Sequence, residues 1–152
     1  MRQMRILACI CVLTGLALLP VASAEGRRVV PKGGAWSGPT SQRFRIDFRV
    51  SPGRNKKKVA PLTADFRLRC SDGKTLDRNV STKDKAPVVR RRFAIVLSLV
   101  PNNLIKGGTA KFVGRFTSSR RARGRARERL VLRDGRTCDS KRVRWKARFR
   151  RR

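Results

Sequence analysis

Few side chains in this 152-residue chain can do chemistry, and the missing types matter as much as those present. Histidine and tyrosine are both absent, which removes the usual general bases and several devices of phosphoryl transfer. Four cysteines occur, Cys9, Cys11, Cys70 and Cys138. A metal site on them would need further ligands of the kind histidine supplies. Asp47 and Asp65 fall on the same parity of two alternating runs, the arrangement that paired-carboxylate catalysis would need. With Arg45, Arg49 and Arg67 beside them, they read instead as cross-strand ion pairs, each worth only a few tenths of a kcal/mol. Gly33-Gly34 and Gly107-Gly108 lack the spacing of a phosphate-binding loop and read as turns. No enzyme class is indicated. The abundant chemistry is cationic: 40 Lys plus Arg, 29 of them arginine, against 9 Asp plus Glu, a formal charge of +31.

The N-terminus bears on which cysteines count. Met1 to Arg5 is a short basic region, Ile6 to Ala22 is apolar apart from Thr14, Gly15 and Pro20, and Ala22-Ser23-Ala24 offers the small residues of a signal-peptidase site. The run is too short, and too broken by Pro20, for a membrane span. Residues 1–24 are therefore expected to be a signal peptide and the protein to be secreted, starting at Glu25. Without Arg2 and Arg5, 38 basic residues face 9 acidic ones, a formal charge of +29 over 128 residues. Cys70 and Cys138 are then the remaining cysteines, and in an oxidising compartment they are expected to pair. A loop of that length constrains the unfolded chain by roughly 4 kcal/mol.

The elements that must position the cations show in the period of the apolar residues. Val143, Trp145, Ala147 and Phe149 alternate with Arg142, Arg144, Lys146, Arg148 and Arg150, and a strand sends successive side chains to opposite faces. The same period runs through Phe44, Ile46, Phe48 and Val50, where Arg43, Arg45, Asp47 and Arg49 intervene; through Leu62, Ala64, Phe66, Leu68 and Cys70; and through Ala110, Phe112, Gly114 and Phe116. Val89, Phe93, Ile95, Leu97 and Leu99 share a parity that Arg91 interrupts. Turn signals separate the runs at Ser51-Pro52-Gly53, Ser71-Asp72-Gly73, Pro101-Asn102-Asn103, Gly107-Gly108 and Asp134-Gly135. The pattern predicts an all-β fold, an antiparallel sandwich or barrel of about seven or eight short strands with one disulfide. Residues 25–34 read as a flexible segment, 35–149 as the domain and 150–152 as a basic tail.

The stretch 118–133 is open to two readings. Ala122, Ala126 and Leu130 are four apart, as on a helix face, whereas Arg121, Arg123, Arg125, Arg127 and Arg129 run at period two and Gly124 disfavours a helix. The strand reading is preferred and puts Glu128 on the inner parity, near an arginine partner. The aromatics Phe44, Phe48, Phe66, Phe93, Phe112, Phe116, Trp145 and Phe149 take inward parity, and Trp36 reads as core or edge packing just before the first strand.

Trp36-Ser37-Gly38-Pro39-Thr40-Ser41-Gln42, Phe66-Arg67-Leu68-Arg69-Cys70, Gly114-Arg115-Phe116-Thr117-Ser118-Ser119 with Ala122-Arg123-Gly124, and Cys138 with Val143-Arg144-Trp145-Lys146-Ala147 together resemble a group of small secreted proteins of high-GC actinobacteria. The resemblance covers about residues 35–149. It implies a single β-sandwich domain with paired cysteines and a Val-x-Trp-x-Ala final strand, and it implies no activity. This chain departs from the group at many outward positions, which are Thr, Ser or Gly there and arginine here.

Arginines on one face of such a sheet would stand about 6.6 Å apart along a strand and about 4.8 Å across strands. Each adjacent pair repels by roughly 0.6 to 0.8 kcal/mol in water, and salt reduces this. An anionic polymer lying across that face relieves the repulsion and sheds its own counterions, and arginine forks onto phosphate or sulfate with two hydrogen bonds. The expected function is therefore a secreted, non-enzymatic β-domain that binds anionic polymers non-specifically, without cofactor or metal. The residues expected to carry it are Arg43, Arg45, Arg49, Arg121, Arg123, Arg125, Arg127, Arg129, Arg142, Arg144, Arg148 and Arg150. Base-specific reading is not expected, since neither a helix-turn-helix, a zinc finger nor a set of outward aromatics is present. Two alternatives stand beside this reading: basicity that is incidental to arginine-rich codon usage, and membrane attack by a helical 120–133 segment.

Overall fold

The computed structural model describes residues 29–53 and 57–151. The expected signal peptide, Cys9 and Cys11, the Glu25 start and Arg152 lie outside the described residues. The strands are β1 (Gly34–Pro39), β2 (Arg45–Val50), β3 (Lys58–Cys70), β4 (Thr75–Thr82), β5 (Ala86–Pro87), β6 (Arg92–Leu99), β7 (Ile105–Ser118), β8 (Arg121–Leu132), β9 (Thr137–Asp139) and β10 (Val143–Phe149). Among the described residues there is no helix, and every strand pairing is antiparallel.

Six strands close on themselves in the order β10–β1–β2–β3–β9–β8 and back to β10. β4 and β5 lie on the outer side of β3, and β7 followed by β6 on the far side of β8. Closure works because two long strands each serve two partners along one edge. β3 pairs β2 through Val59–Ala64 and β9 through Arg69 and Cys70. β8 pairs β10 through Arg121–Ala126 and β9 through Arg129–Val131.

The period-two pattern was a sound guide to most of this. β8 is a strand through the stretch that was open to a helical reading, with Ala122, Ala126, Leu130 and Leu132 buried on one parity. Leu62, Ala64, Phe66, Leu68 and Cys70 are all buried, as are Phe112 and Phe116. The interior is an aromatic cluster. Trp36 stacks on Phe48 at 5.8 Å, meets Phe116 edge-on at 5.1 Å, and Trp145 lies 5.9 Å from Phe48 and 6.0 Å from Phe93.

Four strands did not show in the pattern: β1, β4, β5 and β9. β1 is held from both sides, by β2 and β10, so Trp36 lies within a strand, fully buried, rather than before one. Gly38 in it is dictated by contact, because a Cβ there would stand 1.9 Å from the Lys146 carbonyl oxygen. Of the segment expected to be flexible, the described part is anchored: Pro31 is buried and the Lys32 N–H donates to Ser119 O. Two inward assignments change. Phe44 precedes β2, is half-exposed and carries the Arg67 guanidinium 5.2 Å from its ring centre. Val89 is 60% exposed, because the left-handed residues Arg90 and Arg91 turn the chain before β6 begins.

The Thr40-Ser41-Gln42 triplet plugs a corner of the barrel. Thr40 Oγ1 accepts the Phe44 N–H, Ser41 exchanges hydrogen bonds with the Arg144 backbone, and the Gln42 amide bonds both Arg67 N–H and Arg67 C=O. Gln42 thus stands in for backbone on the edge of β3 between the end of β2 pairing and the start of β9 pairing. Opposite, Cys70 and Cys138 are register partners of β3 and β9 and form the disulfide.

Two outcomes follow for stability. Replacing both Cys70 and Cys138 by alanine should lower the unfolding free energy by roughly 4 kcal/mol, measured by denaturant titration of oxidised protein and variant. Gly114 and Gly124 face each other across β7 and β8, and a Cβ on Gly124 would lie 2.3 Å from the Trp145 ring. Gly124→Ala should therefore cost about 3 kcal/mol through overpacking, seen as a lowered unfolding midpoint and altered near-ultraviolet tryptophan signal.

Candidate functional site

The outward parity of β6, β7, β8 and β10 brings cations into straight rows across the strands. Arg92 opposes Arg115, Arg115 opposes Arg123, and Arg123 opposes Lys146. This is one row of four basic residues over four strands. Two positions along each strand lies a second row, in which Val113 opposes Arg125 and Arg125 opposes Arg144. On the far side of the first row, Arg121 opposes Arg148. Like charges directly opposite are the unfavourable cross-strand arrangement, and here they recur.

Between the two rows runs the backbone of Gly114, Gly124 and Trp145, which are register partners in turn. Their inner side is filled by the Trp145 indole and the Phe93 ring, so no side chain rises between the rows. The result is an open trough of about 820 Å³, lined by both rows and bordered by the Pro39–Ser41 corner. Among the described residues no carboxylate lies within ion-pair distance of Arg92, Arg115, Arg123, Arg125, Arg144 or Lys146.

The twelve arginines expected to carry binding divide into groups. Arg121, Arg123, Arg125, Arg144 and Arg148 lie together on this outer face. Arg127 and Arg129, on the same face of β8, are held by Asp139. The Arg127 Nε donates to Asp139 Oδ1 at 3.0 Å and the Arg129 Nε is 3.4 Å from Oδ2. The bond from Arg127 holds the Asp139 carboxyl below the usual range, with help from the Lys141 N–H. Arg43, Arg45 and Arg150 line a separate small hollow of about 280 Å³ beside Ser37 and Phe44. Arg43 sits in the turn with φ 65° rather than on a strand. Arg45 Nε donates to Ser37 Oγ and to Asp47 Oδ1. Arg49 is exposed on β2, which β1 separates from β10. Arg142 is exposed just before β10.

Arg92, Arg115 and Lys146 complete the rows and were not among the expected residues. The signal for Lys146 was the final alternation itself. Arg92 ends the run Arg90-Arg91-Arg92 and Arg115 stands alone between Gly114 and Phe116, and only register shows that they continue a row.

The carboxylates do not assemble into a catalytic pair. Asp47 pairs with Arg45 on its own strand, not across strands. Asp65 accepts from Asn79 Nδ2 at 2.6 Å and lacks the arginine partner expected for it. The cross-strand ion pair of β3 is Arg67 with Asp77 on β4, a two-pronged contact. Among the described residues no group of three Cys, Asp or Glu forms a cluster suited to a metal. Glu128 is on the inner parity, with no exposed surface, and its partner is Arg78 of β4, whose Nε lies 3.3 Å from Oε1. That N–H is not aligned on the carboxylate, and both Glu128 oxygens lack a hydrogen bond among the described residues. Burial pushes the Glu128 carboxyl above its ordinary 4.5, against the opposing attraction of Arg78.

The chain matches no protein-family model, no curated protein and no solved structure.

Because the Glu128 pKa is higher folded than unfolded, folding favours its protonated form. Its contribution to stability is therefore greatest below pH 4.5 and declines as pH rises through the raised folded value. Glu128→Gln cannot ionise, so the stability of the wild type relative to this variant should fall across that window and then level off. Parallel denaturant titrations from pH 4 to pH 8 measure it, and a pH-independent difference would refute the assignment.

Proposed function

We propose that this protein is a secreted, non-enzymatic β-domain whose outer β6–β7–β8–β10 face binds anionic polymers without reading their sequence. One observation carries the reading: cations stand directly opposite one another, in one row across four strands flanked by two facing pairs on β8 and β10, with no carboxylate among the described residues to neutralise them. A surface of that kind holds repulsive energy that a polyanion removes while shedding condensed counterions. Arginine makes up most of the rows and suits phosphate and sulfate oxygens. The candidate ligand classes are cell-wall polymers, extracellular nucleic acid and sulfated glycans.

Helical membrane attack loses its basis. Residues 121–132 form a strand in which Ala122, Ala126, Leu130 and Leu132 are buried and Val131 alone of the apolar side chains is exposed, and no described helix is long and apolar enough to cross a membrane.

The test is titration of residues 25–152 against duplex DNA, heparin and wall teichoic acid at several salt concentrations. With six or more phosphates engaged, affinity should fall about a thousandfold or more between 50 and 200 mM salt. A flat salt response would exclude the electrostatic mechanism. Weak and equal binding to all three that vanishes by about 150 mM would mean that the charge is incidental.

A further inference from the structure

The trough has a shape that the charge alone does not have. Its two walls are the Arg92–Arg115–Arg123–Lys146 row and the Arg125–Arg144 pair. They stand two residues apart on each strand, about 6.6 Å at the backbone, while the longer row spans three interstrand gaps, about 14 Å. Its bed is the backbone at Gly114, Gly124 and Trp145, with side chains directed inward or absent. The bed is therefore narrow, straight and transverse to the strands. Its walls are donors only, since arginine and lysine side chains carry no acceptor.

We propose that this furrow seats one base-free phosphodiester chain in single file, as in a poly(glycerol phosphate), with successive phosphates gripped from both walls by Arg123 with Arg125 and by Lys146 with Arg144. The proposal rests on the polyanion-binding function above and names the ligand class of that site. Two features favour a thin chain. A B-form duplex carries its phosphates on two helical ridges separated by grooves about 6 and 12 Å wide, so it crosses a straight furrow of this width instead of lying along it. A single flexible chain can follow the bed and meet both walls. A third feature disfavours nucleobases. Single-stranded nucleic-acid sites add aromatic platforms on which bases stack, and the one aromatic bordering this furrow, Trp145, is 2% exposed. The furrow thus offers charge to a backbone and no aromatic platform to a base.

The experiment compares three probes of equal phosphate number at fixed salt: synthetic poly(glycerol phosphate), single-stranded DNA and duplex DNA. Each is titrated into residues 25–152 and into two double variants. Arg123→Gln/Arg125→Gln removes one grip, and Lys83→Gln/Lys85→Gln, between β4 and β5, removes equal charge elsewhere. All four residues are exposed, and the unfolding midpoint of each variant verifies its fold. Poly(glycerol phosphate) should bind at least as tightly as single-stranded DNA and more tightly than the duplex, reversing the order that charge density alone dictates. The furrow variant should lose about tenfold or more for poly(glycerol phosphate), and the control variant no more than about twofold. If the duplex binds as tightly as the single chains, or both variants lose affinity equally, the furrow assignment falls while polyanion binding stands. Tighter binding of single-stranded DNA than of poly(glycerol phosphate) would also overturn it, in favour of a base-contacting site. If no probe binds, the proposed function itself fails.

Discussion

The indole of Trp145 lies against two glycines, Gly114 and Gly124, in the space that their side chains would otherwise need. Three strands, β7, β8 and β10, meet in register at that point. The contact joins the inner and outer faces of the sheet physically. Inside, it lets one large ring reach Phe48 and Phe93 and knit the aromatic core. Outside, it draws three backbones level without an intervening side chain, which makes the bed of the furrow. Glycine within a strand weakens it unless something packs against the vacant position, and here the tryptophan does.

The repulsion between facing cations has to be offset by this same core. Each opposing pair in the rows costs a fraction of a kcal/mol after screening, while burying a single large apolar side chain contributes about 1.5 to 3 kcal/mol. The scaffold can therefore tolerate the charged face because the opposite parity is almost wholly apolar. The exception shows the limit: Glu128 is buried, and Arg78 comes across from β4 to meet it, since an unpaired buried charge is far more costly than a surface one.

Acidic residues are distributed so that they quench some cations and spare others. Asp139 gathers Arg127, Arg129 and the Lys141 N–H at the end of β9. Asp134 and Asp72 both accept from Arg136, and Asp77 takes Arg67. The carboxylates of these pairs lie on β4, on β9 and in the adjoining turns, and reach only the far end of β8 at Arg127 and Arg129. The rows over β6, β7, β8 and the middle of β10 are left uncompensated among the described residues, so the asymmetry of the surface comes from where the described carboxylates lie as much as from the number of arginines.

The amino-acid sequence by itself determined the fold class, the disulfide and the inner parity of the long strands, because period two is a local property that any alternating segment displays. It also marked Glu128 as an inward charge in need of an arginine, though not which one. Four strands were illegible for a reciprocal reason. β1 is rich in glycine, β4 alternates weakly, β5 has two residues and β9 three. Each exists because neighbours offer it a ladder, and a ladder is not written in the segment that joins it. The rows were illegible as well. Alternation tells which face an arginine occupies, but only register tells what stands opposite. Arg92, Arg115, Arg123 and Lys146 lie on four strands and up to 54 positions apart in the chain, and the register of the β6–β7, β7–β8 and barrel-closing β8–β10 pairings sets them side by side.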